Sequence, residues 1–270
     1  MDMLQEWENM LKQWVSKNLP FFYSPQRRSL RHETYTVEIE TAAELIECSY
    51  WIERTPLRLM VPTEMLRMQG GFIYGKDHPF VQALTHGTTA LKQFYDSVQP
   101  ASLSDYYGIE SHDRIGCGLP AWELPWYKRS ARTPPRGEAG LSAEHGVSYF
   151  GPVTSQKIKV ELDRLKKVTH SIQKKGFTPE KNGDIEGYIL KSGDNACFFV
   201  RGGKHRAAAL AYLGHNKIPV AFRRTFPRVV DVASSKYWPL VMAGLMDISF
   251  AQEIMDFYIK GRSMPCRTDL

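Results

Sequence analysis

Along residues 2–17 the apolar positions Met3, Leu4, Trp7, Met10, Leu11, Trp14 and Val15 recur every three or four residues, which predicts an amphipathic helix ending near Asn18 and Pro20. After a polar break the pattern changes period. TYTVEIET alternates as a strand does, and AAELIECSYWIER returns to the helical spacing. From Pro56 to Tyr107 short apolar runs are broken by Gly70, Gly71, Gly75, Pro79 and Gly87, with a helix expected over residues 90–98. Residues 108–146 show no periodicity and are rich in Gly, Pro and aromatic residues. That predicts a functional loop or a linker, and places a domain boundary there.

Beyond this stretch the pattern is sharper. SYFGPV reads as a short strand. KIKVELDRLKKVTHSIQKKG places Ile158, Leu162, Leu165, Val168 and Ile172 on one helical face, with Gly176 as its C-terminal cap. EGYILK and ACFFV read as strands joined by the turn SGDN. GGKHRAAALAYLGH opens on two glycines and continues as an Ala-rich helix, and IPVAFRR is a further strand. SKYWPLVMAGLMDISFAQEIMDFYIKG predicts a closing helix after Asp247 with Ile248, Ala251, Ile254, Met255 and Tyr258 inward. The fold class expected is α+β: a mixed N-terminal region over 1–147, a compact α/β module over 148–228 and a helical extension over 229–270.

Composition narrows the functions. Of 270 residues 43% are apolar and 24% charged, a globular balance without low-complexity tracts. The four cysteines Cys48, Cys117, Cys197 and Cys266 show no CxxC spacing, which argues against a zinc site or a disulfide scaffold, and Cys197 inside a strand reads as a core thiol. No apolar stretch of membrane-spanning length occurs, so the expected compartment is the cytoplasm, with residues 2–22 as a possible peripheral membrane contact. The charge is unevenly placed. Residues 151–228 hold 16 Lys and Arg against 6 Asp and Glu, whereas the whole chain carries only +6, so the excess sits in the module. Such a segment calls for an anionic partner: nucleotide phosphates, nucleic acid, a phosphorylated sugar or an acidic membrane.

The chemistry concentrates at CFFVRGGKHRAAAL. A strand runs into Gly202 and Gly203, which permit unusual dihedrals and close backbone approach, and then into a helix start whose free N–H groups and dipole favour an anion. Lys204, His205 and Arg206 in the same turn add phosphate donors, Arg206 through a bidentate fork, although the spacing is not that of a Walker P-loop. Lys191 in the strand pair is a further phosphate candidate. A phosphotransferase also needs a carboxylate, and Glu161 and Asp163 are the nearest candidates, with Asp184 and Glu186 beside the next strand. Glu161 shares a helix face with Leu165 and Val168; the alternative is a solvated carboxylate paired with Lys157 or Arg164. His170 reads as a helix-surface residue. An acceptor pocket could draw on Asp77, His78, Tyr106, Tyr107, Asp113 and Arg114.

YFGPV, LDRLKKVTHSIQKKG and FFVRGGKHRAAALAYLGHNKIPVAF, over residues 148–224, resemble the ParB/sulfiredoxin superfamily. The resemblance implies a nucleotide-binding fold with Gly202, Gly203, His205 and Arg206 at the phosphate-binding turn. In sulfiredoxin a catalytic cysteine occupies the position of Lys204, so sulfinic-acid reduction is not expected. It also implies an association with surface-polysaccharide synthesis. The expectation that follows is a nucleotide-dependent kinase or phosphotransferase, with catalytic Glu161, Asp163 and His205, a nucleoside triphosphate (ATP favoured) and Mg²⁺ as cofactors, and a small polar molecule or glycan as acceptor. No protein-held metal site is expected. The competing expectations are a ParB-like DNA-binding protein or nuclease, disfavoured by the absence of a helix-turn-helix pattern, and a non-catalytic nucleotide-binding protein.

Overall fold

A computed structural model describes residues 35–50, 57–110, 113–127 and 140–263; the amphipathic stretch of residues 2–17 lies outside them. From Thr36 onward the described residues form one compact unit. Its strands are β1 (Tyr35–Glu38), β2 (Leu57–Pro62), β3 (Leu66–Arg67), β4 (Ile185–Ser192), β5 (Asn195–Gly202), β6 (Lys217–Phe222) and β7 (Val229–Asp231). They make a mixed sheet in the order β1-β2-β6-β4-β5-β3, with β7 also paired to β4. The helices, in chain order, are α1 (Ala42–Ser49), α2 (Pro79–His86), α3 (Thr88–Ser97), α4 (Leu103–Tyr107), α5 (Ser155–Lys175), α6 (Pro179–Asn182), α7 (Lys204–Tyr212), α8 (Pro239–Met242) and α9 (Ile248–Lys260).

The hairpin β4–β5 is the axis of the molecule, because both of its faces are buried. Ile189, Phe198 and Val200 face a core that also takes Leu59 and Val61 of β2 and the apolar sides of α2, α3, α5 and α7. Tyr188, Leu190, Cys197 and Phe199 point the other way into a second core with Phe250, Ile254 and Tyr258 of α9. Period-two alternation in a strand buried on both sides gives this division.

Several expectations need correction. β1–β3, from before residue 147, share one sheet with β4–β7, so the division at 147 and 228 does not follow the sheet. The aperiodic segment is core as much as loop: Cys117, Ala121, Leu124 and Trp126 are buried, and Trp126 Nε1 donates to Tyr188 Oη at 2.9 Å. SYFGPV forms no strand. Pro152 lacks an N–H, and Gly151 N instead donates to Val98 O at 2.7 Å beyond the end of α3, where a Cβ would meet Tyr95 O at 2.0 Å. Strand β2 arises where only broken apolar runs were expected, and α1 ends at Ser49, with residues 51–56 outside the described set. In α9 the inward set holds except for Ile248, which is 42% exposed, while Phe250 is buried. Among the described residues no helix is long and apolar enough to cross a membrane.

Candidate functional site

Strand β5 delivers the chain to Gly203, which has φ 81° and ψ 21°. That left-handed conformation suits glycine, and an added Cβ would come within 2.9 Å of Arg206 Nη2 and 3.1 Å of Ile185 Cα. Gly202, by contrast, lies within the strand at ordinary dihedrals. Helix α7 then starts at Lys204 with no side-chain cap and no acidic residue in its first turn. No side chain therefore caps its first N–H groups. Gly203→Ala is expected to lower stability by about 1–2 kcal/mol through backbone strain alone, read as a drop in the urea midpoint; an unchanged midpoint would show that the turn relaxes.

A cavity of about 900 Å³ opens over this helix start. Its second wall is α5, where Arg164, Lys167, Val168 and Ser171 recur at helical spacing, so they share one face. Arg164, Lys167, Arg201, Lys204 and Arg206 supply five cationic side chains to the lining, and Asp163 is its single carboxylate. Arg201 Nη1 donates to Gln69 Oε1 at 3.2 Å, and its guanidinium lies 5.5 Å from the Tyr127 ring centre.

Behind the cavity wall lies a buried ionic group. Glu161, fully buried, accepts at Oε1 from Lys204 Nζ (2.9 Å), with His205 Nε2 also 2.9 Å from that oxygen. Its Oε2 is 3.0 Å from Lys157 Nζ, which is itself fully buried and donates to Ser148 Oγ at 3.0 Å. Burial pushes the Glu161 carboxyl upward, but Lys204, His205 and Lys157 outweigh it and hold the group well below the usual carboxylate range. The carboxylate is therefore buried and paired, Lys157 being one of the partners weighed from sequence. It orients the helix start: the His205 ring stacks on Phe80 at 5.4 Å, and the Lys204 ammonium lies over Phe80 and Tyr149 at 5.3 and 5.6 Å.

Arg206 is placed differently from the phosphate fork expected. Its Nη1 donates to Asn182 O and its Nη2 to Asp184 O at 3.0 Å, so its two outer nitrogens clamp the segment between α6 and β4. Arg58 holds the same segment through Asp184 Oδ1 at 2.8 Å and Glu180 Oε1 at 2.5 Å.

The structure thus brings together Glu161, Asp163, Gly203, Lys204, His205 and Arg206. Lys191 lies near the other end of the β4–β5 hairpin, opposite Ala196, ion-paired to Asp231 at 2.7 Å and outside the cavity lining. Glu186 in β4 and Asp184 do not line it either. Of the residues considered for an acceptor pocket, His78, Tyr106 and Tyr107 are buried, and Arg114 pairs with Glu253 at 2.6 Å; none of the six lines the cavity. His170 is exposed and Cys197 fully buried, its thiol raised by burial to about 11.

Lining residues not singled out from sequence as ligand groups are Tyr149, Arg164, Lys167, Ser171, Asn182 and Arg201. The signal for the α5 members was a polar stripe adjoining the apolar one, which a solvated helix face shows equally. Comparisons with protein-family models, with curated proteins and with solved structures find no match for this chain.

Proposed function

We propose that the protein is a nucleotide-dependent phosphotransferase whose triphosphate occupies the cavity over the start of α7. The carrying observation is the convergence of Arg164, Lys167, Arg201 and Lys204, with one carboxylate, on a cavity floored by a helix start that no side chain caps, while Arg206 adds its charge with its outer nitrogens held by neighbouring carbonyls. A triphosphate is the dense multivalent anion such a lining suits, and backbone N–H groups with Lys and Arg donors are its ordinary ligands. The resemblance of residues 148–224 to the ParB/sulfiredoxin superfamily supports the same reading, the seven-stranded mixed sheet being the coarser fact.

The donor set fits a magnesium ion of one kind only. Among the described residues no group of three or more His, Cys, Asp and Glu could hold a metal, so the ion would come held by the phosphates with Asp163 as its one protein carboxylate. When bound it would neutralise charge between phosphate oxygens. The chain's own part is electrostatic and positional, as phosphoryl transfer demands. Lys204, fixed by Glu161, and Arg201, fixed by Gln69, present positive charge without reorganising, and Lys167 extends it along α5. Glu161 and His205, turned to each other, are positioning residues.

The test is turnover of a nucleoside triphosphate with polar small-molecule and glycan acceptors. Release of the terminal phosphate should depend on acceptor, and Asp163→Asn should slow it by about a hundredfold. Binding without turnover in any acceptor mixture would reduce the protein to a nucleotide-binding one. Retention of duplex DNA that weakens steeply with salt would favour the nucleic-acid reading instead.

A further inference from the structure

Strand β5 ends on a residue that neither backbone conformation nor packing requires to be glycine. Gly202 stands between Arg201 and Gly203, both of which line the cavity. Its φ is not positive, and an added Cβ would meet nothing nearer than 3.6 Å, an ordinary contact. What the missing side chain does is leave the strand end bare, as where a ligand approaches the backbone closely. Two side chains of opposite charge flank the spot: Arg223 Nη1 and Glu186 Oε2 each lie 3.6 Å from the point a Cβ would occupy.

The fold holds this arginine in place. Arg223 follows β6 directly, its backbone N donating to Gly187 O at 2.9 Å and its Nε to Thr225 Oγ1 at 3.3 Å. Its guanidinium lies 5.8 Å from the centre of the Phe226 ring, which stacks on buried Tyr188 at 5.1 Å and meets the Tyr127 ring at 5.3 Å. Tyr127 in turn carries Arg201. One aromatic group rooted in the core therefore supports both arginines. Among the described residues the Nη groups of Arg223 and the carboxylate of Glu186 have no hydrogen-bond or ion-pair partner, and the two are not paired with each other. A guanidinium fork donates to an acid, and a carboxylate accepts from a hydroxyl or an ammonium.

Resting on the phosphotransferase reading above, we infer that Gly202 is the floor of the acceptor subsite, and that the acceptor carries an acid group, bound by Arg223, beside a hydroxyl or ammonium donor, bound by Glu186. Arg201, shared by the cavity lining and the aromatic group, sets this subsite next to the phosphates. Acidic sugars and amino acids both have this chemistry, whereas a neutral sugar lacks the acid.

The experiment is calorimetric titration of the full chain with glucuronate (acid and hydroxyls), free alanine (acid and ammonium), glucose (hydroxyls alone) and acetate (acid alone), before and after saturation with a non-hydrolysable ATP analogue. It is repeated on Arg223→Gln and on Gly202→Ala, whose methyl fills the spot at no cost to the strand. Glucuronate or alanine should bind at least about tenfold tighter than glucose and acetate, with the analogue in place as without it, and which of the two does so tells an acidic sugar from an amino acid. Both variants should lose that advantage at an unchanged melting temperature. Two-group ligands no tighter than the single-group ones, an advantage that survives both variants, or displacement by the analogue overturns the subsite. An advantage that persists in a protein binding no analogue removes the phosphotransferase reading, and the acceptor role with it, while the acid-binding site stands.

Discussion

Replacing Glu161 by alanine should cost about 3–5 kcal/mol of stability at neutral pH, because it strands the buried Lys157 ammonium and releases Lys204 and His205. Lys157 and Glu161 are both fully buried, so water cannot replace the lost charge without opening the core between α5 and the 148–153 segment. Urea denaturation reads the effect directly. The double variant Glu161→Leu with Lys157→Met removes both charges at similar volume and should recover much of the loss, since apolar pairs often match a buried ion pair in stability. A loss under about 1 kcal/mol for the single variant would mean that the ionic group is hydrated and that its anchoring of the helix start is overstated.

Acid should destabilise the protein well before its carboxylates titrate. His78, 1% exposed, caps α2 by accepting from Phe80 N at Nδ1 (3.1 Å) and stacks on Tyr74 with ring centres 4.3 Å apart. Burial alone drives its pKa from 6.5 to about 3. The unfolded chain thus takes up a proton below pH 6.5 that the folded chain refuses until about pH 3. Stability is whole above that upper value and falls as pH drops through the window, by about 3 kcal/mol between pH 7 and 4. Glu161, held low by its cations, has the same sign: its contribution is present above the unfolded carboxylate value of about 4.5 and is lost below it. His78→Asn keeps a capping acceptor and should flatten the slope between pH 6.5 and 4.5. The same slope in the variant would assign the acid sensitivity to other groups.

What was legible in the sequence was local. The β4–β5 hairpin announced itself through β-rich runs around a Gly-Asp turn, and α5 and α7 through periodicity and glycine punctuation. Strand β2 was obscured because Arg58 and the flanking prolines interrupt a run whose alternate members Leu57, Leu59 and Val61 are buried. Residues 148–153 had strand-like composition, but the Gly151 N–H is spent on Val98 O, just past the end of α3. The site was half visible. The helix start carries its own signature, whereas the state of Glu161 depends on Lys204 and His205, 43 and 44 residues further along, and no periodicity encodes that pairing. Arg206 shows the same limit, since its chemistry suits phosphate and only the fold reveals that neighbouring carbonyls occupy its fork.

The most direct measurement is a titration of nucleoside triphosphate into the full chain and into Lys167→Glu. Lys167 is exposed on α5 and faces the cavity, so reversing its charge acts on a bound anion while sparing the core. Saturable binding in the parent protein, weakened by about tenfold or more in a variant of unchanged melting temperature, is the expected result. No binding in the parent, or equal binding in both, would contradict a phosphate site in this cavity.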